Sequence, residues 1–181
     1  MPVESGITNL SDMKGKVFAF GDPNSTSGYL IPSVEIPQMG YSMNPGDHFG
    51  NVVFSGGHEQ TIVGVYNKDF DAGVTWSGGQ GNWEDGYDYG AFRLAVDSGL
   101  VDMSEMVEIW RSKLIPEGPI VMRKGLPEDV KIKMTGLIAG LPSFDKECAY
   151  GFFQGEVMGA KVVSHEDYEV IVAARKAKIG G

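Results

Sequence analysis

A short apolar run followed by a turn and three hydroxyl residues is the feature that most constrains the fold. Val17-Phe-Ala-Phe20 has the length and the aromatic and β-branched content of a buried strand. An Asp-Pro-Asn turn, Ser25-Thr26-Ser27 and a new apolar segment follow it. This order predicts a strand, a tight turn and a helix from Ser27 to about Gln38. Pro32 is tolerated only in a first helical turn, so the helix is expected to be short or kinked.

A similar order occurs again further along the chain. Residues 51–55 read as a second buried strand, followed by two glycines, His58 and a helical pattern over residues 60–66. Residues 71–76 read as a third short strand. Alternating strands and helices predict an α/β fold with a parallel sheet. Because right-handed crossovers bring the turns to the carboxyl edge of such a sheet, the hydroxyl cluster, His58 and the end of the third strand should face one crevice.

The hydroxyl cluster has two interpretations from the residues alone. A helix start leaves about four N–H groups without partners and carries about half a positive charge, so Ser25, Thr26 and Ser27 could surround an anion site. The same three residues fit an ordinary N-cap, which from the residues alone is the favoured interpretation because most such caps have no other role. Residues 21–32 contain no Lys or Arg, so an anion would be held by neutral donors and the helix dipole.

Charge and composition exclude several classes of function. The net charge of −9 argues against a general affinity for nucleic acid, and it requires any anion site to rely on local donors. The single cysteine, Cys148, allows no intrachain disulfide and no cysteine-based metal motif. No nucleophile–base–acid set, metal-ligand cluster or lysine-based cofactor motif occurs, so the sequence predicts a binding protein without catalytic residues, cofactor or metal. The first six residues lack the pattern of a secretory signal, and no run of about 18 apolar residues is present.

The second half of the chain carries weaker patterns. Residues 77–90 form a glycine- and aromatic-rich loop that is either functional or disordered, and Trp83, Tyr87 and Tyr89 favour a functional loop. Strands are predicted at residues 106–111 and 120–123. Helices are predicted at residues 91–98, at 126–138, at 143–153 with Ser143 as a possible cap, and from Ser164 onwards.

Several of these stretches resemble the substrate-binding proteins of phosphonate, phosphite and phosphate ABC transporters. The resemblance extends over nearly the whole chain in the right order. It rests on Gly21-Asp-Pro-Asn-Ser-Thr-Ser-Gly-Tyr29, Phe54-Ser-Gly-Gly-His-Glu59, Asp71-Ala-Gly-Val74, Trp110-Arg-Ser-Lys-Leu-Ile-Pro-Glu-Gly-Pro119 and Ser164-His-Glu-Asp-Tyr168. Thr75-Trp76 and the loop that follows are similar to the branch handling organophosphonates such as 2-aminoethylphosphonate.

The resemblance implies a two-lobed α/β fold of the type II periplasmic-binding-protein class. It implies that Ser25, Thr26, Ser27 and His58 contact the phosphonate oxygens. Acidic and aromatic residues would select the organic substituent, and the candidates are Trp76, Glu84 and Glu117. The implied function is solute capture in the periplasm for an ABC importer with a membrane permease as partner. Phosphonate, phosphite and phosphate are the implied small-molecule ligands.

The chain departs from the family pattern ahead of the first strand, where family members carry most of their first lobe. The expected division is therefore a second lobe over residues 1–115, with the oxyanion-binding turns, and the final part of an incomplete first lobe over residues 116–181. One hypothesis is that a second chain completes that lobe, because its apolar faces would otherwise be exposed. The alternatives to transport are a phosphonate-sensing module of a receptor or regulator, or a truncated fragment that does not transport.

Overall fold

A parallel three-stranded sheet lies at the centre of the structure, a computed structural model that describes residues 2–179. Its strands are β1 (Val17–Phe20), β2 (Asn51–Phe54) and β3 (Ala72–Gly73), in the order β2-β1-β3. Phe18 of β1 pairs with Val52 on one side and with Ala72 on the other. The predicted α/β fold with a parallel sheet is confirmed.

The burial of the strands follows their positions in the sheet. β1 is central, and Phe18, Ala19 and Phe20 are buried. β2 was expected to be buried as well, and this expectation was wrong. It lies at an edge of the described sheet and is only half-buried, with Phe54 47% exposed. The two strands have similarly apolar sequences, so pairing on both sides of β1 decides which one is covered.

Six α-helices and several short turns surround the sheet in the described residues. The α-helices are α1 (Pro32–Gln38), α2 (His58–Tyr66), α3 (Ala91–Asp97), α4 (Glu128–Phe144), α5 (Lys146–Phe153) and α6 (Glu169–Ile179). The helix predicted from Ser27 is divided into a π-helical turn, Thr26–Leu30, and α1. The division falls at Pro32, which is the first residue of α1, where its missing N–H would be unpaired in any case.

Two predicted strands and one predicted cap are not present in the described chain. Residues 106–111 and 120–123 run without ladder pairing, apart from an isolated bridge between Met106 and Pro2. An apolar run becomes a strand only where a neighbour pairs with it, and residues 120–123 have no such neighbour among the described residues. Ser143 lies inside α4, and α5 is capped by Asp145, whose side chain accepts from Cys148 N at 2.9 Å.

The apolar core packs against β1. Its main cluster is built from Phe18, Phe20, Ile36, Phe49 and further buried residues, and a second cluster lies between α2 and α3. α6 packs against the region after β1, because Ala174 contacts Leu30 of the π-helical turn. Among the described helices, none combines the length and the apolar character needed to cross a membrane.

Candidate functional site

The turns after β1 and β2 are fastened to each other at the carboxyl edge of the sheet. Gly21, directly after β1, donates its N–H to the carbonyl of Gly28 at 2.9 Å. Gly56, in the turn after β2, donates to the carbonyl of Gly21 at 3.0 Å. The two turns predicted to share a crevice are therefore joined by backbone hydrogen bonds.

Ser25 is the N-cap of the π-helical turn. Its Oγ accepts from the N–H of Gly28 at 2.9 Å, which is the capping interpretation of the hydroxyl cluster. The N–H groups of Thr26 and Ser27, by contrast, donate to no acceptor within residues 2–179. Both residues are half-buried and line a cavity. One member of the cluster therefore caps the turn, and the other two present hydroxyl and N–H donors to an open space.

His58 is the first residue of α2 and lies between two hydroxyl groups. Its Nε2 is 3.4 Å from Ser25 Oγ, and its Nδ1 is 3.2 Å from Thr75 Oγ1. The ring is half-buried, and this burial lowers the pKa of His58, so the neutral imidazole is the stable form near pH 7. A Cβ atom at position 28 would lie 3.1 Å from His58 Cε1, so a glycine there lets the ring approach the turn.

Thr61 holds the start of α2 in place. Its Oγ1 donates to the carbonyl of Gly57 at 2.8 Å and lies 2.6 Å from Ser55 Oγ. Ser55 Oγ in turn lies 3.1 Å from the carbonyl of Phe20 at the end of β1. Thr61 is only 1% exposed, so this buried network ties the residue before His58 to the sheet.

Most of the predicted site residues line one cavity of about 710 Å³. Thr26, Ser27, His58 and Thr75 line it, as does Trp76, whose ring centroid is 6.4 Å from that of His58. Within residues 2–179, no three His, Cys, Asp or Glu side chains lie close enough together to hold a metal ion. The arrangement offers neutral hydrogen-bond donors and an aromatic wall.

The two predicted acidic residues lie in different environments. Glu117 lines the cavity, and although the residue is exposed overall, partial burial of its carboxyl group raises its pKa. Glu84 is exposed on the short 3₁₀ helix Trp83–Asp85 and is not among the residues that line the cavity.

The cavity wall also contains a charge cluster that the sequence did not indicate. Tyr87, which is 3% exposed, donates to Glu108 Oε2 at 2.5 Å, and Arg111 Nε donates to Glu108 Oε1 at 3.0 Å. Burial, followed by the hydrogen bond to Glu108, raises the pKa of Tyr87. The positive charge of Arg111 is therefore compensated by Glu108. Tyr89 is a further lining residue outside the predicted set, whereas Thr75 lies at the end of the third strand, which was expected to face this crevice.

The parallel sheet, with polar turns at its carboxyl edge, is an α/β fold consistent with the type II periplasmic-binding-protein class. Residues 1–168 match the family of periplasmic substrate-binding proteins of phosphonate ABC transporters, and the chain belongs to this family. The resemblance found in the sequence is confirmed.

Individual relatives agree with this family. The chain is 27% identical to the phosphate-import protein PhnD of Mycolicibacterium smegmatis over 84% of its own length and 46% of that protein. It is 34% identical to the phosphonates-binding periplasmic protein of Escherichia coli over 72% of its length and 36% of that protein. A crystal structure of a binding protein component of an ABC phosphonate transporter from Pseudomonas aeruginosa superposes with a TM-score of 0.67 at 25% identity, covering 98% of this chain and 55% of that one. The chain thus spans about half, or less, of the length of these relatives.

Proposed function

We propose that this chain forms the ligand-binding part of the solute-binding component of an ABC importer for phosphonates or related phosphorus oxyanions. The observation that carries the proposal is the convergence of Thr26, Ser27 and His58 on one cavity, beside the cap residue Ser25. Family membership supports the same class of ligand.

The donors suit a tetrahedral oxyanion. Thr26 and Ser27 each offer a hydroxyl and an N–H without a partner in the described residues, and such donors stabilise anions without a counter-charge. The Oγ of Ser25 already accepts from Gly28, so its hydroxyl hydrogen remains available to donate to His58 or to the ligand. A bound dianion would raise the pKa of His58 and convert the ring into a charged donor.

The substituent on phosphorus would extend along the cavity wall. Trp76 and Glu117 line that wall, and a carboxylate there suits the ammonium group of 2-aminoethylphosphonate. Glu84 would reach such a ligand only after a change in the 3₁₀ turn that carries it.

We place this function in the periplasm, with delivery to a membrane permease. In this proposal residues 1–115 act as the lobe that carries the oxyanion site, and residues 116–181 contribute to an opposing lobe. Exposed apolar side chains on α4, among them Ile132 and Leu137, support a covering partner surface, which a second chain could supply.

Calorimetric titration with phosphate, phosphite, methylphosphonate and 2-aminoethylphosphonate tests the proposal. Thr26→Val keeps the shape of the side chain and removes its hydroxyl, and His58→Gln removes the imidazole. Each should weaken binding by about ten- to a hundred-fold, because a buried oxyanion loses a donor. His165→Gln is the control, since His165 is exposed and outside the cavity lining. Absence of binding for all four ligands, or equal affinities for wild type and Thr26→Val, would contradict the assignment.

A further inference from the structure

Tyr89 lies in the cavity wall and makes an aromatic pair with Trp76. The two ring centroids are 6.1 Å apart and the ring planes meet at 71°. Trp76 in turn lies edge-to-face with His58. The three rings therefore form a continuous series that begins at the proposed oxyanion donors and leads away from them along the cavity.

The backbone of Gly78 fixes one side of the Tyr89 ring. The N–H of Gly78 donates to the carbonyl of Tyr89 at 2.9 Å. A Cβ atom at position 78 would lie 1.9 Å from Tyr89 Cε1, so the ring rests directly on the peptide backbone there. Any residue larger than glycine at position 78 would displace the ring.

A segment at the end of α5 fixes the other side of Tyr89. Tyr89 and Gly155 form an antiparallel bridge, and a Cβ atom at position 155 would lie 2.2 Å from Tyr89 Cβ. On either side of this bridge, Gly90 N donates to Gln154 O and Glu156 N donates to Asp88 O, each at 3.2 Å. Two separate backbone segments thus hold a residue of an otherwise irregular loop.

The phenol of Tyr89 stays neutral near pH 7. Burial, followed by the charge of Glu117, raises the pKa of Tyr89. Both residues line the same cavity. Tyr89 therefore borders the same space as Trp76 and as the carboxyl group proposed to face the substituent.

We propose that Tyr89 is a specificity-determining residue that packs, with Trp76, against the organic substituent on phosphorus and so favours organophosphonates over inorganic phosphate. This inference rests on the proposed function, because it needs the oxyanion end of the ligand at Thr26, Ser27 and His58. A bare oxyanion held at His58 would occupy only a small part of a cavity of about 710 Å³. A substituent on phosphorus extends into the remaining space, where the fixed rings offer apolar contact.

The test compares Tyr89→Ala with Tyr89→Phe in calorimetric titrations with phenylphosphonate and inorganic phosphate. Tyr89→Ala should weaken phenylphosphonate binding by about three- to ten-fold, as expected for the loss of one aromatic contact, and leave phosphate binding unchanged. Tyr89→Phe should keep the wild-type preference, because the ring remains. A purely structural role for Tyr89 would instead weaken both ligands together.

Three outcomes would overturn the inference. If wild type binds neither ligand, the inference fails, and the titration with the four ligands of the proposed function decides separately whether that function fails as well. If wild type binds phosphate as tightly as phenylphosphonate, or if Tyr89→Ala weakens both equally, the inference fails while the proposed function stands. Should Tyr89→Ala not fold, the ring resonances of Tyr89 in wild type provide the second measurement. They should shift on addition of phenylphosphonate and not of phosphate, and equal shifts would overturn the proposal.

Discussion

α2 and α4 differ in what holds them in place. α2 has nine residues, and Thr61, Ile62, Gly64 and Val65 are buried against the sheet and α3. α4 has 17 residues, and in the described chain none of them is buried. The helix that positions His58 is therefore fixed by packing on the sheet and α3, whereas α4 packs against the neighbouring α5 without burying a residue and depends more on local interactions.

The local interactions of α4 are weak ones. Glu128 and Asp129 lie favourably in its first turn, and they pair with Lys131 and Lys133 on the exposed surface. Exposed pairs of this kind contribute about 0.3–0.5 kcal/mol each. The geometry of the candidate site thus rests on the sheet and α2, and changes in α4 should leave it intact.

The sharpest test of this contrast is a pair of large-to-small substitutions. Phe18→Ala in β1 should lower the free energy of unfolding by about 3–5 kcal/mol, because it opens a cavity in the centre of the core. Ile132→Ala in α4 should lower it by less than about 0.5 kcal/mol, since that side chain is 65% exposed. Urea unfolding measures both. A large effect of Ile132→Ala would mean that α4 is covered in solution and would break the comparison.

A hydroxyl substitution provides the next test. Thr61→Val should lower the free energy of unfolding by about 0.5–1.5 kcal/mol, because it removes the hydrogen bonds that a buried hydroxyl makes to Gly57 O and Ser55 Oγ. Thr135→Val in α4 is the matched control, since its hydroxyl makes no hydrogen bond to any described residue. Equal effects of the two substitutions in urea unfolding would show that the network at the start of α2 does not stabilise it.

A hydrogen bond between α5 and α3 joins the helices that follow α4 and α2, respectively, and its expected contribution is no larger. The hydroxyl of Tyr150 donates to Asp97 Oδ2, and Arg93 also binds this carboxylate. Tyr150→Phe should cost about 0.5–1.5 kcal/mol and increase amide exchange within α5. Tyr41→Phe is the control, because the Tyr41 hydroxyl has no hydrogen-bond partner within residues 2–179. Unchanged exchange in α5 would show that the hydrogen bond of Tyr150 does not stabilise this helix, which also contacts α4 and, at its end, residues 88–90.

The sequence predicted the parts of the molecule that depend on local signals. An apolar run, a turn and hydroxyl residues were enough to locate β1 and the turn after it. The helical pattern over residues 60–66 located α2, which begins two residues earlier, at His58. Parallel topology then brought the turns together. The end of the third predicted strand was expected at the same crevice, and Thr75 Oγ1 there lies 3.2 Å from His58 Nδ1. The length of that strand was wrong, because it was predicted over residues 71–76 and only Ala72–Gly73 pair in the sheet.

Pairing between distant segments was the other part that could not be predicted. Residues 106–111 carry an apolar pattern typical of a strand, yet a strand forms only where a neighbour is present to pair with it. The position of Tyr89 likewise depends on Gly155 at the far end of α5. No local pattern in residues 77–90 indicates such a partner.

The pH dependence of stability gives the smallest expected effect, because it reports the protonation of one side chain, His58, at the start of the well-packed helix α2. Burial lowers the pKa of folded His58 below its ordinary value of 6.5, so protonation favours the unfolded chain. Above about pH 6.5, both the folded and the unfolded chain carry a neutral His58, and the free energy of unfolding should be at its full value. It should decrease as the pH falls from there through the pKa of His58 in the folded protein. Urea unfolding of wild type and His58→Gln between about pH 7.5 and about pH 5 isolates this loss, since other groups titrate in both. Saturating phosphate should reduce the loss of stability at low pH, because the bound anion raises the pKa of His58. Parallel pH profiles of wild type and His58→Gln would mean that the ring is solvated, and the packing of α2 against the site would then be looser than its buried residues indicate.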